Sequence, residues 1–276
     1  MKDFYERLIE KAGFDSALVL GALDFSKSLD MPQLSRLFFD MVPYKIENGG
    51  VLFFEDAFYP YDFFGKLKTL ALSPEVSSLY IYVSLLERSI CDFTSRIENT
   101  EVFFETSKRI WEAAKEYHAQ NGYYGLYDYH FLANYVRTNI LRLGAFEYQL
   151  GLFDGKKAIM LHVPDKASME KEDRLFSYRL ARQYFGQYPI VGDSWLLFKE
   201  HKKMLPENSS IVSFFDDFDI VSAYETYDYS ELFHVFGRLK DFSYENLPKE
   251  TSLQRAYAER VKNSLPIGSG VGILKY

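Results

Sequence analysis

Residues 146–163 read FEYQLGLFDGKKAIMLHV, two apolar runs joined by Asp154-Gly155. An Asp-Gly pair between two such runs predicts a two-residue turn, because both central residues of that turn need positive φ. Apolar residues alternate strictly with other residues over 146–152, which is typical of a strand. We therefore predict an antiparallel hairpin whose register is set by the turn.

Counting back from the turn places Glu147 opposite His162, within reach of contact because directly opposed Cβ atoms lie about 5 Å apart. The count gives the core face six apolar residues: Phe146, Tyr148, Leu150, Ile159, Leu161 and Val163. The face away from the core receives Glu147, Gln149, Met160 and His162. Two interpretations of His162 stay open. It is a core histidine satisfied by Glu147, or a base that Glu147 orients within a cleft.

The chain after the hairpin predicts a strand–helix–strand unit. Pro164 ends the second strand, and a helix from about Ser168 to Gly186 follows. Its predicted apolar stripe is Met169, Phe176, Leu180 and Tyr184. An apolar strand follows over 190–198, and a crossover helix of this kind joins parallel strands. Further on we predict a short helix through Lys202, a strand at about 220–224, a helix capped by Thr251-x-x-Gln254 and a final strand over 268–274.

The first half predicts helices instead. Helical spacing marks 101–121, which ends before Gly122, and Pro74 and Pro32 each open another helix. Residues 47–50 have turn chemistry, and 51–54 predict a short strand. These patterns predict a helical domain over residues 1–126 and a mixed strand-and-helix domain over 127–276.

Composition excludes several classes of function. A net charge of −7 leaves no broad basic surface, so nucleic acid is not expected as a partner, and Lys199, Lys202 and Lys203 are interpreted as a solvated helix face. No apolar run approaches the roughly 18 residues of a membrane span, and the amino terminus does not resemble a signal peptide. We therefore expect no membrane partner and a cytoplasmic location.

The side chains that most often carry chemistry show no metal-binding spacing. Cys91 is the one cysteine and is expected to be a buried thiol; the five histidines contain no i, i+4 pair, so no metal is expected. Aromatic residues make up 18% of the chain. That density has two interpretations, core filling or a pocket for a planar or sugar-like ligand.

Two short motifs resemble known functional sites but lack the flanking structure that those sites need. Gly192-Asp193-Ser194 suggests a serine-hydrolase elbow, but Leu196 stands where that turn needs glycine, so an esterase using Ser194 is the weakest hypothesis. We instead expect Ser194 inside a strand that lines a cleft. The glycine-rich segment 268–272 precedes no helix and is interpreted as entry into the last strand.

The linear order of several segments resembles a bacterial acyltransferase family with an N-terminal helical acyltransferase domain and a C-terminal domain similar to the GNAT N-acyltransferases. The segments are RLGAFEYQLG (142–151), LHVPD (161–165), RQYFG (182–186), DSWLL (193–197) and LPENSSIVSFFDDF (205–218). The resemblance spans most of the chain and is best over 129–218. It implies an α+β (α/β-like) fold, with a mixed twisted sheet flanked by helices, in which acyl-CoA enters between the splaying strands 158–163 and 190–197.

The resemblance also implies chemistry, namely acyl transfer from acyl-CoA or acetyl-CoA to a small amine. The family supplies no catalytic residue to carry over; the candidates are residues near the predicted cleft, with Glu147 and His162 as a base pair and Asp193 and Ser194 beside them. The candidate CoA contacts are Val163, Lys166 and Ser168. GNAT enzymes bind the CoA pyrophosphate on a glycine-containing loop, for which this sequence has PDKASM at 164–169. The competing hypothesis is therefore a non-catalytic ligand-binding or scaffold protein that keeps the fold. A homodimer is a candidate assembly.

Overall fold

The computed structural model describes residues 2–39, 52–53, 60–239 and 242–276. The chain divides into two compact units. The first comprises Met1–Arg142 with Gln149–Gly155, and the second Leu143–Tyr148 with Lys156–Tyr276. Strand β3 thus contributes to both units. The division between residues 126 and 127 as a domain boundary stays a prediction.

The first unit is helical, as predicted. Its described helices are α1 (Lys2–Ala12), α2 (Ser16–Lys27), α3 (Met31–Phe39), α4 (Tyr61–Leu67), α5 (Pro74–Thr94), α6 (Thr100–Asn121) and α7 (Tyr129–Val136). Gly122 ends α6 with a φ of 78°, a left-handed conformation that glycine adopts at little cost. The short strand β1 (Leu52–Phe53) pairs antiparallel with Gly151 and Leu152 of β3. The predicted turn over 47–50 lies outside the described residues.

Aromatic side chains supply much of the buried volume, as the core-filling interpretation predicted. Among the largest wholly buried side chains of the first unit are Phe38, Phe63, Tyr82, Phe93, Phe103 and Tyr135. Six residues of the aromatic segment 53–64, residues 54–59, lie outside the described part.

Cys91 contradicts the sequence-based expectation, because it is exposed rather than buried. At 3.6 residues per turn, Cys91 lies about 120° around α5 from the stripe formed by Leu79, Val83 and Leu86. Those three side chains are buried. The neighbouring apolar letters therefore misled the prediction, since they belong to a different face of the helix.

The second unit contains a mixed sheet in the order β3-β4-β5-β7-β6. The strands are β2 (Leu141–Leu143), β3 (Phe146–Phe153), β4 (Lys156–His162), β5 (Ile190–Ser194), β6 (Phe218–Thr226) and β7 (Ile267–Leu274). Strands β4 and β5 are parallel, with Ile159 paired to Ile190, and α8 (Lys171–Phe185) connects them. The predicted strand–helix–strand unit is confirmed. β7 is antiparallel to both β5 and β6.

The hairpin is also confirmed. Strand β3 ends at Phe153, β4 begins at Lys156, and the two residues between them, Asp154 and Gly155, have φ values of 49° and 70°. Positive φ at both positions is what a primed two-residue turn requires.

The assignment of one hairpin face to the outside of the protein was wrong. Glu147, Gln149 and Met160 are 1%, 0% and 0% exposed, as deeply buried as Phe146 on the opposite face. Sheets that are covered on both faces bury both sets of alternating side chains, so alternation alone does not tell core from solvent. Consequently the side chains of Glu147 and Gln149 are shielded from water, and His162 is half-buried.

Helix α8 buries a different stripe from the predicted one. Its buried residues are Arg174, Ser177, Tyr178 and Ala181, whereas Phe176 is 50% exposed. Arg174 Nε lies 2.8 Å from Asp217 Oδ2, and the Tyr178 hydroxyl donates to the same oxygen at 3.0 Å. A buried ion pair is tolerated where hydrogen bonds satisfy it. The buried side of α8 therefore carries Arg174, whereas a prediction from hydrophobicity alone placed Phe176 on that side.

The remaining helices are short except for the last. They are α9 (His201–Met204), α10 (Ser210–Asp216), α11 (Phe233–Phe236) and α12 (Ser252–Lys262), with 3₁₀ turns at Trp195–Leu197, Tyr229–Leu232 and Tyr244–Asn246. Thr251 and Gln254 form the predicted capping box of α12. The strand predicted to reach residue 198 ends at Ser194, where the first 3₁₀ turn begins.

The lysine cluster is solvated, as predicted. Lys199, Lys202 and Lys203 are mostly exposed and form ion pairs with Glu225, Asp216 and Glu200 at 3.1, 2.6 and 2.9 Å, respectively. Among the helices that the structure describes, none has the length and apolar composition needed to cross a membrane.

Candidate active site at the parting of two parallel strands

The candidate site lies where β4 and β5 stop pairing. The last β4–β5 pair is Leu161 with Gly192, and beyond it β5 pairs only with β7, through Asp193 with Val271 and Ser194 with Gly270. His162 and Asp193 each follow that last pair by one residue. Because strand side chains alternate, His162 and Asp193 project from the same face of the sheet.

The hairpin brings a third titratable residue to this face. A two-residue loop at Asp154 and Gly155 places Glu147 of β3 opposite His162 of β4. Glu147, His162 and Asp193 therefore come from three neighbouring strands and share one face. Of the catalytic candidates taken from the sequence, these three share a face of the sheet, and Ser194, which follows Asp193 in β5, projects from the opposite face.

Burial shifts the pKa values of two of these residues, His162 and Asp193. It lowers the pKa of His162 to about 4, so the imidazole is neutral at neutral pH and can accept a proton. Burial also raises the pKa of Asp193. This neutral imidazole shares its face of the sheet with the carboxyl groups of Glu147 and Asp193.

Ser194 lies at the end of β5, inside the sheet as predicted. Its Oγ accepts a hydrogen bond from the Leu196 backbone N–H at 3.2 Å, the bond that starts the 3₁₀ turn. The chain does not turn into a long helix there, as a hydrolase elbow would.

The glycine-rich segment of β7 has a packing role that sequence analysis missed. Gly268, Gly270 and Gly272 alternate on one face of the strand, and the 195–198 turn lies against that face. A Cβ on Gly270 would sit 2.4 Å from the Leu197 carbonyl oxygen, and one on Gly268 would sit 2.8 Å from Phe198 Cε2. Glycine at every second position of a strand is the signal of such a close approach.

His201 is a further residue that the sequence did not single out. It is wholly buried, with Nδ1 3.2 Å from the Leu196 carbonyl oxygen and Nε2 2.8 Å from the Tyr257 hydroxyl. Burial lowers its pKa to about 4. Because a carbonyl oxygen only accepts, Nδ1 carries the proton, and Nε2 accepts from Tyr257.

The lowered pKa values of His162 and His201 predict that the protein loses stability in acid. The unfolded chain takes up a proton near pH 6.5 and the folded His201 only near pH 4, so stability is full above pH 6.5 and falls as the pH drops between these values. By pH 5 the loss from one such histidine is about 2 kcal/mol. Urea unfolding at pH 7 and pH 5 measures it. His201→Phe should lose about 2 kcal/mol less than the wild type over this interval; equal losses would contradict the assignment.

The candidate CoA contacts follow β4 in the loop before α8. Lys166 is exposed, with a φ of 62°, and Val163 is half-buried directly after the strand. The Ser168 hydroxyl donates to Asp173 Oδ2 at 2.5 Å. The first turn of α8 carries two acidic residues, Glu172 and Asp173. Of the candidate contacts, Lys166 alone offers a positive charge to a phosphate.

Within the described residues there is no group of three or more His, Cys, Asp and Glu side chains placed to hold a metal ion.

A mixed sheet in which a parallel strand pair parts beside a crossover helix defines the GNAT-like class of proteins. The sequence matches the profile of the GNAT-like C-terminal domain family over residues 19–274, and the chain belongs to this family. No curated protein matches the chain significantly.

Several solved acyltransferase structures share the fold. One, in complex with decanoyl-CoA and teicoplanin, has a TM-score of 0.66 and 23% identity over 71% of this chain and 65% of that one. Another, a mutant in complex with octanoyl-CoA, has a TM-score of 0.67 and 22% identity over 72% and 66%. A third, in complex with decanoyl-CoA, has a TM-score of 0.68 and 20% identity over 89% and 75%. The chain thus spans slightly less than two thirds of the first of these proteins.

Proposed function

We propose that the protein is a GNAT-like N-acyltransferase that moves an acyl group from acyl-CoA to the amine of a small molecule. The observation that carries this proposal is the parting of β4 and β5 after Leu161 and Gly192, with His162 and Asp193 at the opening. Membership in the GNAT-like C-terminal domain family supports it. So do the CoA thioesters bound by acyltransferases of the same fold.

The reaction requires proton transfer at two points. The neutral amine nitrogen attacks the thioester carbonyl carbon, the C–N bond forms and the C–S bond breaks. The nitrogen gives up one proton, and the CoA thiolate takes one up, so the products are an amide and free CoA. A base beside the amine and a hydrogen-bond donor beside the sulfur would therefore both accelerate the reaction.

The residues at the opening suit these two roles. We assign the base to His162 with Glu147, and Asp193 assists at the same face, because burial keeps the imidazole in the neutral form, which is the form that can take a proton. Ser194 is assigned to the donor role. Its oxygen already accepts from Leu196, so its own proton is available to a ligand.

A turnover assay tests the proposal. The protein is incubated with acetyl-, octanoyl- or decanoyl-CoA and a panel of primary amines, including amino sugars, and products are identified by mass spectrometry. This detection is preferable to thiol reagents because the exposed Cys91 would react with them. We expect amide product with at least one donor–acceptor pair. Binding of acyl-CoA without product across the panel would favour the non-catalytic ligand-binding alternative.

The loop before α8 gives a second prediction, about affinity for CoA. Lys166→Glu should weaken acyl-CoA binding by about tenfold at low salt, because it removes an exposed cation and adds an anion near the expected phosphates. Asp165→Asn should strengthen binding by a few fold. Isothermal titration with the same acyl-CoA measures both changes. Glu245→Lys is the control, because it changes an exposed charge in the 3₁₀ turn Tyr244–Asn246, outside the loop. Equal effects of all three variants on affinity would refute the loop's role in CoA binding.

A further inference from the structure

A chain of hydrogen bonds reaches Ser194 from the interior of the second unit. The Tyr257 hydroxyl donates to His201 Nε2 at 2.8 Å, and His201 Nδ1–H donates to the Leu196 carbonyl oxygen at 3.2 Å. The Leu196 backbone N–H in turn donates to Ser194 Oγ at 3.2 Å. Both polar backbone groups of Leu196 are thus engaged, one by His201 and the other by Ser194.

The turn that carries Leu196 is held on a second side by the sheet. Ser194 pairs with Gly270 of β7, and the Leu197 carbonyl oxygen lies so close to Gly270 that no side chain fits between them. The sheet fixes the position of this turn, and His201 holds the carbonyl oxygen of Leu196, the residue whose N–H binds Ser194. No described residue accepts the Ser194 hydroxyl proton, so the bond from Leu196 leaves this hydroxyl as a donor.

We propose that His201 is a positioning residue for acyl transfer: by holding Leu196, it orients the Ser194 hydroxyl so that its proton points to the sulfur of the bound acyl-CoA. The assignment rests on the proposed function, and it goes beyond that function by naming a buried residue that never touches substrate. His201 is 0% exposed, which is why it acts only through Leu196.

A double-mutant cycle tests the coupling of His201 to Ser194. Ser194→Ala should lower kcat by about tenfold, the effect of one lost hydrogen bond, with less than twofold change in the KM for acyl-CoA. His201→Phe should lower kcat by a similar factor. The double variant should be no slower than Ser194→Ala, because His201 acts through that hydroxyl. Losses that multiply would overturn the proposal.

Conservative variants separate positioning from folding. His201→Asn places an amide N–H near the position of Nδ1 and should restore kcat to within about threefold of the wild type, whereas His201→Gln, which places its amide nearer the position of Nε2, should not. Tyr257→Phe keeps the His201–Leu196 bond and should melt at a lower temperature but turn over normally per folded molecule. A Tyr257→Phe defect as large as that of His201→Phe would contradict the proposal.

Amide hydrogen exchange at Leu196 gives a readout that needs no substrate. In the wild type this amide is hydrogen-bonded to Ser194 Oγ. His201→Phe should speed its exchange by about tenfold relative to amides of β7, although Ser194 is still present. Unchanged exchange would overturn the positioning of Leu196 even if the enzyme is active. Faster exchange in a protein that neither binds nor turns over acyl-CoA would reject the proposed function instead.

Discussion

Glu147→Gln should lower kcat by about 100-fold or more while leaving the fold intact. The substitution keeps the shape of a side chain that is 1% exposed and replaces its carboxyl group, which the hairpin register sets opposite His162, with an amide. An amide stabilises the imidazolium formed during proton transfer less well than a carboxylate does, and general-base contributions of this kind are worth about 10²–10⁴ in rate. The measurement is kcat for amide formation, together with the near-ultraviolet circular dichroism spectrum and the melting temperature.

The matched control for this variant is Glu245→Gln, the same chemical change at an exposed position. It should turn over at the wild-type rate. A Glu147→Gln protein that folds and works normally would show that Glu147 belongs to the core alone, with His162 as a satisfied core histidine.

Gly270→Ala should strongly destabilise the second unit. The new Cβ would lie 2.4 Å from the Leu197 carbonyl oxygen, a backbone atom that no side-chain rotation can move away. Overpacking of this kind costs about 1–3 kcal/mol. The turn after Ser194 would shift as well, so we expect a loss in kcat of about tenfold or more beyond the loss of folded protein.

Gly192→Ala is the control in the neighbouring strand. Its Cβ would meet only side-chain atoms, at 3.4 Å or more, so stability should change by less than about 1 kcal/mol. Urea unfolding measures the stability of the two variants, and their turnover is compared after correction for the folded fraction. Equal stabilities would contradict the account of the glycine-rich segment.

The sequence predicts correctly those parts of the fold in which a local pattern fits only one conformation. Asp154-Gly155 allows one kind of turn, Thr251 and Gln254 cap one helix, and Gly122 ends another. The hairpin then fixed the register that sets Glu147 opposite His162. In this way a turn of two residues predicted which side chains could form a site.

The parts that could not be predicted depend on partners distant in sequence. Arg174 is buried and pairs with Asp217, whereas Phe176 on the same helix is 50% exposed. The glycines of β7 are explained by the turn at Leu197, and His201 by Tyr257. Hydrophobic periodicity carries no information about such pairings, since they are made across 40 or more positions of the chain.

Binding of acyl-CoA tests the central claim most directly. Thermal melting is measured with acetyl-, octanoyl- and decanoyl-CoA for the wild type and for Lys166→Glu. A ligand at about 100 times its dissociation constant stabilises the folded state by about 2.7 kcal/mol, so a rise of several degrees in melting temperature is expected for the wild type and a smaller one for the variant at the same concentration. No rise with any of the three CoA thioesters would contradict the assignment of this protein as an acyl-CoA-dependent acyltransferase.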